Sequence, residues 1–133
     1  MTEINGVAHV ILSVSNWQAC RDFYERLLSF FGMTRTFDGD EMVYFVGGRT
    51  AVGISKCDPA FEHERFVQTR PGLHHVCFRV RDKHAVIAVH EFLQSVNATI
   101  VHGPEEGKDP GQNYLVNTEG VPEWLQQGAI RGQ

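Results

Sequence analysis

The sequence predicts an α+β fold built from two tandem βαβββ modules. An apolar, strand-like run at residues 7–14 is followed by a helical pattern, and the same order returns 66 residues later. Without a gap, residues 7–33 and 73–99 are identical at 7 of 27 aligned positions, and His9 aligns with His75. Identity at a fixed offset, together with a repeated order of elements, indicates an internal repeat.

The first module begins with a predicted buried strand at residues 7–14, which are β-branched and apolar. Ser15 or Asn16 is expected to cap the helix that follows by offering a side-chain oxygen to its first turn. The period of residues 17–30 is helical, and Gly32 suits the end of that helix. Its predicted apolar stripe consists of Cys20, Phe23, Tyr24, Leu27, Leu28 and Phe31.

Three short strands complete the first module, because turn signals containing glycine interrupt the apolar runs. They are predicted at residues 34–37, 42–46 and 50–55. The second module is expected to repeat this order with a strand at 75–80, a helix capped by Asp82, and strands at 98–101 and 113–116. A last strand belongs near residues 121–125, where Pro122 permits only a strand start, an edge or a bulge.

The whole chain, residues 1–133, is predicted to be one domain. Its module one spans about residues 5–57, a polar linker spans 58–71, and module two spans about 72–127. A net charge of −4 gives no basic patch for nucleic acid or an anionic membrane. The absence of a signal-peptide pattern and of a long apolar run predicts a cytoplasmic protein.

The cysteines are odd in number and widely spaced, so no CxxC motif for zinc or redox chemistry is present. Cys20 and Cys77 lie in apolar, periodic stretches. We interpret them as small buried residues in a reducing compartment.

The paired histidines are the strongest functional signal. A single histidine in an apolar strand is usually a core or edge residue, but equivalent positions in a repeat favour shared metal binding by His9 and His75. Imidazole suits divalent Zn, Ni, Fe or Mn. His74 is expected to face away from His75, because neighbouring strand residues alternate. Phe45, Phe66 and Tyr114 are candidates to line a pocket, although each is more commonly a core residue.

The doubled strand with its histidine, the helix with Phe-Tyr-Glu-Arg-Leu-Leu and the Gly-Met exit resemble the vicinal oxygen chelate superfamily. This group includes glyoxalase I, extradiol dioxygenases, fosfomycin-resistance thiol transferases and bleomycin-resistance proteins. The resemblance covers about residues 5–117. It implies that the two modules form an open, curled mixed β-sheet barrel with flanking helices around a divalent metal ion.

The resemblance also implies which residues bind the metal. The first-strand positions fall on His9 and His75, while the last-strand position of module one falls near Gly53, which has no ligand. In module two the family turn resembles residues 117–120, and counting onward reaches Trp124. Glu123 lies one residue earlier, and a one-residue shift turns a strand side chain to the opposite face unless a bulge intervenes.

Glu123 is therefore the expected third ligand and the residue that also moves protons, with Glu119 as the alternative. The resemblance implies a metal-dependent enzyme, a lyase, dioxygenase or thiol transferase, acting on a small substrate that chelates through adjacent oxygens. A set of two histidines and one glutamate is closer to the dioxygenases or thiol transferases than to a four-ligand glyoxalase. The alternative is a metal-free drug-binding protein of the bleomycin-resistance type. A homodimer is expected in either case.

Overall fold

The computed structural model describes residues 1–100 and 115–117 of the chain. Contacts between residues divide the protein into two compact units, Met1–Glu64 and Arg65–Gln133. The module and linker boundaries drawn from the sequence stay predictions. No helix among the described residues is long and apolar enough to cross a membrane.

The first unit is a four-stranded mixed sheet with one helix. Its elements are β1 (His9–Val14), α1 (Trp17–Phe30), β2 (Thr34–Asp38), β3 (Met42–Gly47) and β4 (Thr50–Lys56). The strand order is β1-β4-β3-β2, with β1 parallel to β4 and the other neighbours antiparallel. The predicted βαβββ order is confirmed for this unit, and each boundary lies within two residues of its predicted position.

One face of this sheet forms the core against α1, which contacts β2 and β4. The sheet residues on that side are at most 4% exposed: Leu12, Val14, Val43, Phe45, Val52 and Ile54. The helix contributes five buried members of its predicted stripe: Cys20, Phe23, Tyr24, Leu27 and Leu28. Phe31, the sixth, is the C-cap residue and is half-buried.

The other side of the sheet is not covered by α1, because strand side chains alternate between the two faces. We call it the open face. It carries exposed or half-buried residues that the strand register brings together: His9, Ile11, Ser13, Phe37, Met42, Tyr44 and Val46. Among the described strands, β1 and β2 are the edges of an open, uncurled sheet, so the predicted curling into a barrel is wrong for these strands.

The second unit contains β5 (Cys77–Arg79), α2 (Lys83–Ser95) and β6 (Leu115–Asn117) among its described residues. Strand β5 pairs antiparallel with β6, whereas β1 pairs parallel with β4. The predicted strand at 75–80 is thus shortened at both ends, and the one predicted at 98–101 is wrong over residues 98–100. The repeat of a full βαβββ module in this unit therefore stays a prediction.

The two helices begin differently, although their first residues are equivalent in the repeat. Asp82 caps α2 as predicted, and its carboxylate accepts a hydrogen bond of 2.8 Å from the backbone N–H of Ala85. Asn16 occupies the N-cap position of α1, but its side chain makes no cap hydrogen bond, so that prediction is wrong. Its backbone carbonyl instead accepts from the N–H of Cys20 at 2.9 Å.

This contrast gives a matched pair of substitutions. Asp82→Ala should lower the free energy of unfolding by about 1 kcal/mol, because the first turn of α2 loses a hydrogen-bond acceptor. Asn16→Ala should change it by less than about 0.5 kcal/mol. Urea unfolding followed by circular dichroism measures both values. Equal losses in the two variants would contradict the difference between the caps.

No disulfide joins the three cysteines, and they occupy different environments. Cys20 is fully buried as predicted, whereas Cys77 is exposed, so its predicted burial is wrong. Burial raises the pKa of the Cys20 thiol to about 12, and an accompanying backbone hydrogen bond at Asn16 opposes this rise. Burial also raises the pKa of Tyr24 well above its ordinary value. The core therefore holds two neutral acids that ionise more readily when the chain unfolds.

Raised pKa values in the folded state predict a loss of stability in alkali. The Cys20 contribution is fully present below the unfolded pKa of 9.0 and is lost as the pH rises toward about 12. Between pH 8 and pH 10 this loss should reach about 1 kcal/mol, and Tyr24 adds a smaller loss of the same sign. Urea unfolding across this pH range measures the loss. The free energy of unfolding of Cys20→Ala should fall by about 1 kcal/mol less than that of the parent. Cys57→Ala is the thiol-deletion control, and an unchanged loss in Cys20→Ala would contradict the assignment.

Candidate metal site

His9 is the first residue of β1 and lies on the open face of the first unit. Leu12 and Val14 turn into the core, so the alternation of the strand places His9 with Ile11 on the opposite side. The imidazole is exposed and lies edge-on to the ring of Tyr44, with 6.5 Å between centroids and 63° between planes. His9 is therefore not a buried core histidine, and its ring is accessible to a ligand on this face.

Gly53 lies in the middle of β4, directly beside Ile11 of β1 and Tyr44 of β3. A Cβ atom at this position would lie 3.0 Å from Tyr44 Cδ2, 3.1 Å from Met42 Cε and 3.2 Å from Ile11 Cγ1. These distances are shorter than ordinary van der Waals contact, so the missing side chain lets its three neighbours close over the strand. The position that the family resemblance gives to a first-module ligand is thus occupied by apolar side chains of neighbouring strands.

The surroundings of His9 on the open face are mostly apolar. Ile11 is 47% exposed, Val46 is 43% exposed and Phe37 is 55% exposed. Phe45, a candidate to line a pocket but more commonly a core residue, points into the core and is fully buried. Tyr44 was missed, although its position between the apolar residues Val43 and Phe45 already places it on the opposite face from them.

His75 lies two residues before β5 and is half-buried. Its Nδ1 atom is 2.7 Å from Nδ1 of His74, and the ring centroids are 5.0 Å apart. The prediction that these two side chains face opposite ways is wrong. The alternation of side chains applies only within a strand, and the strand begins after both residues. Gln68, which the sequence did not single out, contacts His74 from the preceding segment.

The remaining candidates, Glu119, Glu123 and Trp124, lie outside the described residues, as does Tyr114. Within residues 1–100 and 115–117, no group of three His, Cys, Asp or Glu side chains could hold a metal ion. His9 lies in the first unit and His75 in the second, and the imidazole of each is a type of donor that suits a first-row divalent cation. The donor chemistry fits the expected metal, and the set of His9, His75 and Glu123 stays a prediction.

The βαβββ unit, its β1-β4-β3-β2 sheet and a histidine at the start of the first strand define a glyoxalase-like α+β protein. Residues 6–120 match the family profile of the Glyoxalase/Bleomycin resistance protein/Dioxygenase superfamily, so the chain belongs to that superfamily. This confirms the resemblance to the vicinal oxygen chelate proteins. The matched residues also agree closely with the range of about 5–117 over which the sequence shows that resemblance. No curated protein sequence is similar enough to count as a match.

Solved structures share the fold at low sequence identity. A candidate glyoxalase from Bacillus halodurans has a TM-score of 0.68 and 19% identity, with 74% of each chain covered. Lactoylglutathione lyase from Agrobacterium tumefaciens has a TM-score of 0.57 and 18% identity, over 99% of this chain and 100% of that one. The fosfomycin resistance protein FosX from Listeria monocytogenes has a TM-score of 0.55 and 17% identity, over 85% and 88%. At these identities the similarity shows the fold.

Proposed function

We propose that this protein is a metal-dependent enzyme of the glyoxalase/dioxygenase type. It acts on a small substrate that chelates a divalent metal through adjacent oxygens, and His9, His75 and Glu123 bind the metal. The observation that carries this proposal is the position of His9, which is accessible on the face of the sheet opposite to α1. Its repeat partner His75, in a chain of a superfamily that includes such enzymes, supports the same function.

In this proposal His9 binds the metal, and the apolar side chains beside it shape the surface that meets the substrate. A divalent ion held by these residues would supply Lewis acidity toward a substrate oxygen. His9 contributes a nitrogen donor, and its ring lies edge-on to the ring of Tyr44. Ile11, Met42 and Tyr44 close over Gly53 and present an apolar surface next to His9. This surface favours a substrate with a compact apolar part. We assign the movement of a substrate proton to Glu123, with Glu119 as the alternative.

Bound metal on protein purified without a histidine tag tests this proposal. We expect about one equivalent of Ni²⁺, Zn²⁺, Mn²⁺ or Fe²⁺ per chain after loading and desalting, measured by elemental analysis. Glu123→Gln and Glu119→Gln identify the carboxylate, because only the variant that lacks a ligand should lose metal. Less than about one-tenth of an equivalent with all four metals would contradict the metal-dependent function.

A metal-free binding protein of the bleomycin-resistance type is the second candidate. The observation that favours it is Gly53, where three side chains cover a position that contributes no ligand. Such a protein should bind planar apolar drugs equally well with and without metal, as measured by quenching of its intrinsic fluorescence. Binding that requires the metal would favour the enzyme instead.

The homodimer expected from the resemblance is also part of this proposal. Sedimentation equilibrium at micromolar concentration should give about twice the chain mass of 15.0 kDa. A single species with the mass of one chain would contradict it.

A further inference from the structure

Three side chains of the second unit form a hydrogen-bonded cluster just before β5. Nε2 of Gln68 lies 3.2 Å from Nδ1 of His74 and 3.4 Å from the backbone oxygen of His74. Nδ1 of His74 lies 2.7 Å from Nδ1 of His75. The two rings are nearly perpendicular, with 74° between their planes. The imidazole of His74 therefore connects the amide of Gln68 to Nδ1 of His75, the predicted metal ligand.

The donors and acceptors of this cluster can be assigned from its geometry. The backbone oxygen of His74 only accepts hydrogen bonds, so the group of Gln68 that faces it is the donating amide nitrogen. This nitrogen carries two hydrogens and donates the second one to Nδ1 of His74, which must then present its lone pair. Two imidazole nitrogens 2.7 Å apart need one hydrogen between them. That hydrogen belongs to Nδ1 of His75, because a hydrogen on Nδ1 of His74 would meet the amide hydrogen of Gln68. The single lone pair of Nδ1 of His74 then accepts the 2.7 Å hydrogen bond from His75, and the 3.2 Å contact with Gln68 is the weaker of the two.

The assignment determines the tautomer of His75. A neutral imidazole carries one hydrogen, so a hydrogen on Nδ1 leaves the lone pair on Nε2. Histidine side chains in water favour the opposite tautomer, with the hydrogen on Nε2. The hydrogen bond made by one ring nitrogen decides which nitrogen is free to bind a metal.

We propose that His74 and Gln68 are positioning residues that hold His75 in the tautomer whose Nε2 atom binds the metal. This inference rests on the proposed function, because it assigns His75 as a ligand. Outer partners of metal-bound histidines typically change metal affinity by about 10–100-fold. The cluster is exposed to water, which competes for its hydrogen bonds. Replacing His74 should therefore change the metal affinity by a factor near the lower end of this range.

The tautomer can be measured directly on metal-free protein. Long-range ¹H–¹⁵N spectra of the imidazole rings, recorded at about pH 8.5 where a histidine of ordinary pKa is neutral, distinguish the two ring nitrogens. Signals are assigned with His75→Gln and His74→Gln. In the parent we expect His75 to carry its hydrogen on Nδ1. In His74→Phe, which keeps a ring but removes both nitrogens, His75 should shift to the tautomer with the hydrogen on Nε2.

A nickel titration by calorimetry on the same proteins gives the second readout. His74→Phe should weaken Ni²⁺ binding about tenfold, and Gln68→Ala should weaken it less. His84→Phe, an exposed histidine of α2 outside the cluster, is the control and should change neither the tautomer of His75 nor the affinity. Unchanged amide spectra establish that each variant is folded.

Each failure has a distinct meaning. If His75 of the parent carries its hydrogen on Nε2, or if His74→Phe leaves its tautomer unchanged, the positioning role is overturned while metal binding by the parent stands. If His74→Phe abolishes nickel binding as completely as His75→Gln does, His74 is itself a ligand and the positioning role is again overturned. If the parent binds no nickel, the proposed function fails, and the role of the cluster in metal binding fails with it.

Discussion

Replacing Phe45 with alanine is expected to lower the free energy of unfolding by about 3–5 kcal/mol. Phe45 is fully buried on β3, where its ring packs into the core between the sheet and α1. Removal of the ring forfeits its burial and leaves a cavity that the surrounding strands can fill only in part. Urea unfolding followed by circular dichroism measures the change. Phe45→Leu, with a smaller expected loss, gives a value if the alanine variant does not fold.

Phe37→Ala is the matched control, because it removes the same side chain from a neighbouring strand on the open face. Phe37 is 55% exposed, so its replacement should cost less than about 1 kcal/mol. The comparison tests which face of the sheet forms the core. A loss in Phe37→Ala as large as that in Phe45→Ala would show that the open face is also packed.

The first unit was predictable from the sequence because its signals are local. The helical period of residues 17–30 and the glycine-containing turns fix where the chain changes direction. The second turn has a positive φ angle of 58° at Gly48, a conformation that glycine adopts without strain, and one of 64° at Arg49, which is uncommon for a residue with a side chain. Strand boundaries follow closely, because each of β2, β3 and β4 is paired along its length.

The second unit was less predictable because a strand depends on its partner. Residues 75–80 have the composition of a strand, yet only Cys77, Phe78 and Arg79 pair with β6. The segment before them is therefore released from alternation, which allows His74 and His75 to approach each other. Gln68 lies in a polar segment without periodicity, so no local pattern could connect it to His74.

In the first unit, the ion pairs between α1 and β2 also could not be predicted from local sequence patterns. Arg21 pairs with Asp38 and Arg35 pairs with Glu25, in each case between the helix and the strand. Arg21 also donates a hydrogen bond of 2.9 Å to the backbone oxygen of Gly39 in the following turn. Arg21 and Glu25 are not members of the predicted apolar stripe, and no local pattern indicated a partner for either, since the partners lie 17 and 10 residues away.

Some features of the candidate metal site follow from local sequence patterns, and others depend on neighbouring strands. The position of His9 follows from a paired strand and was predictable, as was the absence of a ligand at Gly53. The apolar closure over Gly53 was not, because it depends on which residues of β1 and β3 lie beside it. The closure leaves apolar side chains, and no second donor, at this position of β4, beside the strand that carries His9.

Replacing His9 with alanine is expected to weaken metal binding by more than about 100-fold, because outer partners alone contribute about 10–100-fold and His9 is assigned as a direct ligand. The fold should be unaffected, since His9 is exposed and lies at the beginning of an edge strand. Calorimetric titration of the untagged variant with Ni²⁺ and Zn²⁺ measures the affinity, and urea unfolding checks the stability. His75→Ala should give a loss of similar size.

His63→Ala is the control for a nonspecific effect of losing an imidazole. The His63 side chain is 94% exposed, and its ring lies 3.4 Å from the carboxylate of Glu62. A histidine beside a carboxylate is itself a weak metal-binding pair, so His63→Ala measures how much affinity such surface sites contribute. Full affinity in His63→Ala and a large loss in His9→Ala together assign the metal to the open face. Equal affinity in the parent, His63→Ala and His9→Ala would contradict that assignment, because metal binding would then not depend on His9.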